Sequence, residues 1–334
     1  MQFTRRRFAA SALGSLALAR SNFGAVPKVN GVRIGLQSAS FTFSGMDLDG
    51  IIKTMLDLGL GEIDVMSEHV ENYLGAPVKL PGTGRPGPWT RRTPAAQGGP
   101  QARAGGATPG PGGPPPGAFG PRVDPAAREA LRRWRLDADL SKFQSVGKRF
   151  SDKGLTFFSY NLSFNDTFTD EEIEKGMLMT KALGTRIITA SSPASIFPRV
   201  APFAEKHDVI VAMHNHTNGP DEFAQAMAAS KNVWVNLDVG HFFASGYDPI
   251  AYLKEHHSRI TNIHIKDRKK DHGAEMPFGE GDTPLKQVLQ LVQREKYNFP
   301  VCIEYVGPEG PRIELKRCLD YCKRALGADT SPAS

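Results

Sequence analysis

Cysteine is scarce: the 334 residues include only Cys302, Cys318 and Cys322. They make no paired framework and no Cys-x-x-Cys motif, so a disulfide scaffold, a zinc ribbon and a dithiol redox centre are excluded and buried thiols remain. No apolar run can span a bilayer; the longest, near residues 8–19, is short and rich in Ala and Ser. No internal repeat is visible. Basic charge is also missing where a nucleic-acid binder would need it. The formal net charge is +6, but Arg5, Arg6, Arg7 and Arg20 carry four of those charges. Residues 80–125 add Arg85, Arg91, Arg92, Arg103 and Arg122 against Asp124, which leaves the remaining chain at about −2. A protein that binds phosphate backbones concentrates Lys and Arg on its fold, so nucleic acid is not an expected partner. With 40% hydrophobic residues, collagen-like and wholly disordered chains are excluded as well.

The N-terminus reads Thr4-Arg5-Arg6-Arg7-Phe8, followed by the mildly apolar run Ala9 to Ala19. This resembles a twin-arginine export signal over residues 1–25, with Ala17-Leu18-Ala19 as a cleavage site. It implies a periplasmic or exported protein with no membrane anchor after cleavage, and a metal inserted before transport. Residues 80–125 hold 12 prolines and 12 glycines in 46 positions. Such a segment buries too little apolar surface to offset its ordering entropy and reads as a disordered loop inserted into the fold. Residues 328–334 read as a tail.

Between these segments, over residues 26–327, short β-branched runs alternate with helical patterns, the signature of repeated βα units. The predicted strands are Arg33–Ala39, Glu62–Met66, Thr156–Tyr160, Arg186–Ala190, Val209–His214, Val233–Leu237, Ile260–Ile265 and Val301–Glu304. Thr169 with Glu172 predicts a capping box, and Gly184 a helix stop. Asp248-Pro249 and Thr283-Pro284 each predict an N-cap followed by proline at the first helical position. Phe143, Val146 and Phe150 share one helical face, ended by Gly154. Eight strands with interleaved helices indicate an α/β fold, a single (β/α)8 TIM barrel with the Pro/Gly-rich insertion. The alternative, a doubly wound sheet, would want a Gly-x-Gly-x-x-Gly turn after the first strand, and none is present.

Barrel active sites lie at the C-terminal strand ends. The last four strands end in ionisable residues: His214-Asn215-His216, Asp238-Val239-Gly240-His241, His264-Ile265-Lys266-Asp267, and Glu304. Each alone could cap a strand, and together they could form an ion-pair network without a metal. Four successive strands ending this way nevertheless converge imidazoles and carboxylates on the barrel mouth. Mixed ligands of this kind suit Mn, Fe, Co or Zn rather than an all-oxygen calcium site.

Leu237-Asp238-x-x-His241, His264-x-Lys266-Asp267, Gly279-Glu280-Gly281-Asp282 and Ile303-Glu304 together resemble the xylose isomerase-like barrel superfamily. Within it they are most similar to the sugar phosphate isomerase/epimerase and tagatose-epimerase-like group. The resemblance covers roughly residues 30–326. It implies one divalent metal, manganese first with cobalt, zinc or iron as alternatives, held by His214, Asp238, His264 and Glu304. His214 departs from the pattern, standing where the epimerases carry a glutamate that serves as one of two bases. The His214-x-His216 arrangement is instead similar to inosose dehydratases and to lyases that open 3-keto-glycosides.

The chemistry common to both branches is proton abstraction beside a sugar carbonyl, through a metal-bound enediolate. Glu304 is the first choice of base, and His216 or His241 of proton donor. His241 could instead orient a ligand. Lys266 and Asp267 are assigned to substrate hydroxyls or to supporting Glu304. Asp64, His69 and Glu280 are further substrate-binding candidates, although Glu280 could belong to a plain turn. Phe41, Phe43 and Phe164 could stack on a sugar or simply pack the core. The expected partner is a small carbohydrate, with homo-oligomerisation open. An isomerase or epimerase leads, a lyase or dehydratase on keto-sugars follows, and a non-catalytic carbohydrate-binding barrel differs from both in kind. A metal-dependent nuclease is disfavoured by the near-neutral core.

Overall fold

β-Branched and aliphatic residues at alternating positions bury one face of each strand under helices, and the computed structural model of the chain builds eight such strands. It describes residues 26–80 and 124–328. The expected export signal at 1–25, residues 81–123 of the Pro/Gly-rich segment and the last residues of the expected tail, 329–334, lie outside the described residues. The strands are β1 (Val32–Gln37), β2 (Glu62–Met66), β3 (Thr156–Asn161), β4 (Ile187–Ala190), β5 (Ile210–His214), β6 (Val233–Asp238), β7 (Ile260–Ile265) and β8 (Val301–Ile303). Each pairs in parallel with its neighbours in chain order, and β8 pairs with β1, which closes the barrel. The expected fold is therefore present, with β2 and β7 bounded as predicted. The ladder continues past β8, where the Glu304 N–H donates to the Ile265 carbonyl (3.1 Å).

Among the described residues eleven α-helices surround the barrel: α1 (Leu48–Leu58), α2 (Ser67–Tyr73), α3 (Pro125–Asp137), α4 (Leu140–Ser151), α5 (Asp170–Ala182), α6 (Phe197–His207), α7 (Pro220–Met227), α8 (Val239–Ala244), α9 (Pro249–His256), α10 (Leu285–Arg294) and α11 (Pro311–Ala325). Among the described residues no helix is long and apolar enough to cross a membrane. Local signals set several helix ends. Asp248 caps α9, its carboxylate accepting from the N–H groups of Ile250 (2.8 Å) and Ala251 (3.2 Å). Phe143, Val146 and Phe150 are buried on α4, and Gly154 turns the chain at φ +73°.

Two predicted caps are corrected. Thr169 accepts the Glu172 N–H (3.2 Å), but the Glu172 side chain turns inward to Arg128 and Arg135 rather than back to the cap. Thr283 does not cap α10; its hydroxyl accepts the Arg268 N–H (3.0 Å) and fastens a loop. In both cases an ion pair or a loop contact from distant sequence outcompetes the local hydrogen bond.

The barrel interior is polar where such cores usually carry branched aliphatic residues. Gly35, Glu62 and Cys302 crowd one layer, and a Cβ at position 35 would lie 3.1 Å from Glu62 Cγ and 3.3 Å from Cys302 Sγ. Above them sit Asp64, Thr189, Asn236 and Asn262, all buried. The cysteines are all free and buried, as expected.

Candidate metal and proton-transfer site

Residues in register on neighbouring parallel strands point the same way, so pairing brings the strand ends together. Asp238 on β6 is opposite His264 on β7, and His264 is opposite Cys302, two residues before Glu304. His214 ends β5 opposite Asn236. One ligand atom from each of His214, Asp238, His264 and Glu304 comes within 4.8 Å of all the others.

Hydrogen bonds behind this cluster aim its lone pairs. The Asn236 amide donates to the Asn262 carbonyl (3.2 Å), which turns its oxygen to His214 Nδ1 (2.7 Å). The His214 proton therefore sits on Nδ1, leaving the Nε2 lone pair for the cluster. Burial first, then the neighbouring His264 and His216, push this imidazole well below its usual pKa, so it is neutral. His264 presents the opposite nitrogen: Nε2 donates to Asp64 (2.9 Å), and Nδ1 faces Glu304 at 3.1 Å without the alignment of a hydrogen bond. Asp238 accepts the His241 N–H on Oδ1 (2.8 Å), while its buried Oδ2 accepts nothing. Asn215 holds the Asp238 backbone from both sides, accepting its N–H (2.8 Å) and donating to its carbonyl (3.1 Å).

Burial alone would lower the His264 pKa, but the hydrogen bond to Asp64 and the charges of Glu304 and Asp64 outweigh it and raise the ring to about 9. Burial would likewise raise Glu304; Lys266 and His264 instead hold it well below the carboxylate range. Lys266 Nζ lies 2.7 Å from Glu304 Oε1 and 3.8 Å from both Asp238 and Glu275. Burial alone would discharge the lysine, but Glu304 and then Asp238 keep it charged.

His241 and His216 complete the mouth. Arg268 Nη1 donates to His241 Nδ1 (2.6 Å), so the neutral ring carries its proton on Nε2; Lys266 Nζ, 3.4 Å from Nε2, is the weaker claimant. Burial lowers the His241 pKa to about 4. His216 is exposed on the rim, its ring 5.0 Å from His214 and 4.9 Å from His241, with Nε2 3.2 Å from the Ser191 hydroxyl. Gly240 lets α8 sit on this wall, because a Cβ there would lie 2.2 Å from the Lys266 carbonyl oxygen.

Three expected substrate contacts, Asp64, His69 and Asp267, are placed differently, while Glu280 lies on its expected turn. Asp64 is wholly buried and uses both oxygens on Thr189 and His264, so it orients His264 rather than meeting a sugar. His69 is 1% exposed within α2, its Nδ1 unpartnered, so it does not line the rim. Asp267 accepts the N–H groups of Gly279 (2.8 Å), Gly281 (3.0 Å) and Thr283 (3.2 Å), fastening the turn that carries Glu280. Glu280 is exposed on that turn. Phe41 and Phe164 are core residues, while Phe43 is half-buried beside a cleft of about 580 Å³ shared with Met46 and Ile313.

Sequence reasoning missed Asn236, Arg268 and Glu275. Asn236 was within reach of strand periodicity, being two residues before Asp238 on the same face. Arg268 and Glu275 carry no such signal, because a small hairpin, Asp267–Arg268 paired with Glu275–Met276, folds them back to the mouth.

Residues 123–324 match the family model described as the xylose isomerase-like TIM barrel. The chain belongs to that family. It is 27% identical over 107 residues to an inosose dehydratase of Clostridium beijerinckii, covering 30% of each chain. It is also 27% identical over 99 residues to the L-ribulose-5-phosphate 3-epimerase UlaE of Salmonella paratyphi A, covering 28% of this chain and 35% of that one. The matched segments thus span about a third of these curated relatives. Among solved structures, IolI with a bound zinc atom superposes with a TM-score of 0.57 at 14% identity, over 90% of this chain and 100% of that one. The shared architecture is that of sugar-processing isomerases, epimerases and dehydratases.

Proposed function

We propose that the protein is a metal-dependent sugar enzyme that removes a proton next to a carbonyl. The observation that carries this is the buried, unsatisfied acceptor Asp238 Oδ2 inside a four-ligand cluster in which His264 Nδ1 faces Glu304. Unpartnered buried acceptors are costly unless a cation meets them. Two imidazoles and two carboxylates fit one divalent ion such as Mn, Co, Zn or Fe, with His214, Asp238, His264 and Glu304 as holders. Such an ion supplies Lewis acidity at a sugar oxygen.

The chain's own groups divide the remaining work. Glu304, ionised beside Lys266, is the proton acceptor. His241 offers Nε2–H to an oxygen of the sugar, and exposed His216 stands where a departing or returning oxygen would meet solvent. Lys266 balances negative charge as the proton moves. Isomerisation or epimerisation leads; elimination of water or an aglycone from a keto-sugar is the second reading, favoured by His214 and His216 at the end of β5. The twin-arginine motif supports the additional proposal of export, which fractionation of cells expressing the chain with and without residues 1–25 tests.

The test is incubation of metal-loaded protein with ketoses and 3-keto-glycosides in deuterated water, followed by NMR. Deuterium at the carbon beside the carbonyl is expected, in an isomeric sugar for the first reading and alongside a lost leaving group for the second. No exchange with any member of the panel would reject the proposal.

A further inference from the structure

The departure at His214 leaves proton transfer with one carboxylate where a two-base reaction needs a partner. A second carboxylate reaches the mouth from elsewhere. Glu275 lies on the hairpin that follows β7, in register with Arg268, while Met276 is in register with Asp267. The hairpin is firmly held: Arg268 donates to the Gly273 carbonyl (2.6 Å) as well as to His241, and the His272 N–H reaches the Ala244 carbonyl on α8 (2.9 Å). Glu275 Oε1 accepts the Val306 N–H (3.0 Å), directing Oε2 to 3.8 Å from Lys266 Nζ, and the side chain stays 30% exposed. Glu304 and Glu275 therefore flank one ammonium, one from β8 and the other from the hairpin.

We propose that Glu275 is the second proton-transfer residue, working opposite Glu304. The inference rests on the reading of the site as one for α-proton chemistry. Glu304 carboxylate takes the proton as the C–H bond breaks, and the electron pair passes to the carbonyl oxygen. Glu275, as the carboxylic acid, then gives its proton to carbon on the other face, or to the leaving oxygen as the C–O bond breaks. One carboxyl gains a proton and the other loses one, so the total charge of the two carboxyls beside Lys266 is the same before and after.

The experiment compares metal-loaded wild type, Glu275→Gln and Glu275→Asp with the same sugar panel in deuterated water, recording α-proton exchange and product separately. Glu275→Gln is expected to keep exchange, because Glu304 can return the proton it takes, while product formation falls about 100-fold. Glu275→Asp, which keeps the acid one methylene back, should fall between the two and serves if the Gln variant does not fold. Metal content and Tm, measured alongside, should match wild type. Equal loss of exchange and product, or no change in either, overturns the role of Glu275 and leaves the proposed chemistry standing. A wild type that exchanges nothing overturns both.

Discussion

Glu71, Arg135 and Glu172 form one buried charge cluster, and Asp238, His264 and Glu304 with Lys266 form another. In the first, Arg135 donates to both Glu71 oxygens (2.7 and 3.0 Å) and to Glu172 Oε1 (2.9 Å). Tyr160 adds a bond to Glu71 (3.2 Å) and Arg128 takes Glu172 Oε2 (2.5 Å). Every carboxylate oxygen is used, and the atoms left over at the edge are donors, Arg128 Nη1 and Arg132 Nε. In the second, the atom left over is an acceptor, Asp238 Oδ2. A network short of acceptors can meet water at its margin; one with a buried acceptor that lacks a donor has room for the cation proposed above. The first cluster joins α2 to α3 across the Pro/Gly-rich insertion and is structural. The second is the proposed site.

Removing a charge from each should separate them most sharply. Arg135→Ala leaves Glu71 and Glu172 buried without their shared cation, and a loss of about 3–5 kcal/mol is expected in denaturant unfolding. Asp238→Asn in metal-free protein should leave stability unchanged or raise it, and abolish metal retention on dialysis. An Asp238→Asn protein as damaged as Arg135→Ala would break the distinction.

Two buried histidines extend the comparison to pH. His69 on α2 is pushed down to about 4 by burial. Its unfolded form binds a proton below about 6.5, so its contribution to stability is present above that value and lost as pH falls through 4, on the order of 3 kcal/mol. His69→Gln should flatten this part of the stability–pH curve. His264, raised to about 9, has the opposite sign: in metal-free protein its contribution is full below 6.5 and lost as pH rises through 9. An ion at Nδ1 must displace that proton, so affinity for Zn²⁺ or Mn²⁺ should fall about tenfold per pH unit below 9, measured by titration calorimetry in two buffers.

The smallest effect concerns the residues behind the ligands. Asn236→Ala removes the acceptor that fixes His214, and metal affinity should drop about 10- to 100-fold with little change in Tm. An unchanged affinity would mean that the tautomer of His214 is set elsewhere.

Much of the fold was legible because its signals are local. Strand β2 and strand β7 were bounded by hydrophobic runs and turn residues a few positions away, and the four ligand candidates by their place at strand ends. Asp64 and His69 were misjudged for one reason: a polar residue after a strand looks the same whether it faces substrate or a buried neighbour. Glu172 was read as half of a capping box because its true partner, Arg135, is 37 residues away on α3.

By itself the sequence determined the eight strands, the interleaved helices and which ionisable groups crown the late strands, since periodicity and turn chemistry act over a few residues. Only the tertiary structure decided which lone pairs point inward and which are consumed. Those depend on Asn236, Asp64, Arg268 and Glu275, whose bonds cross the barrel or return through a hairpin, and directed hydrogen bonds exist only once strands distant in sequence are side by side.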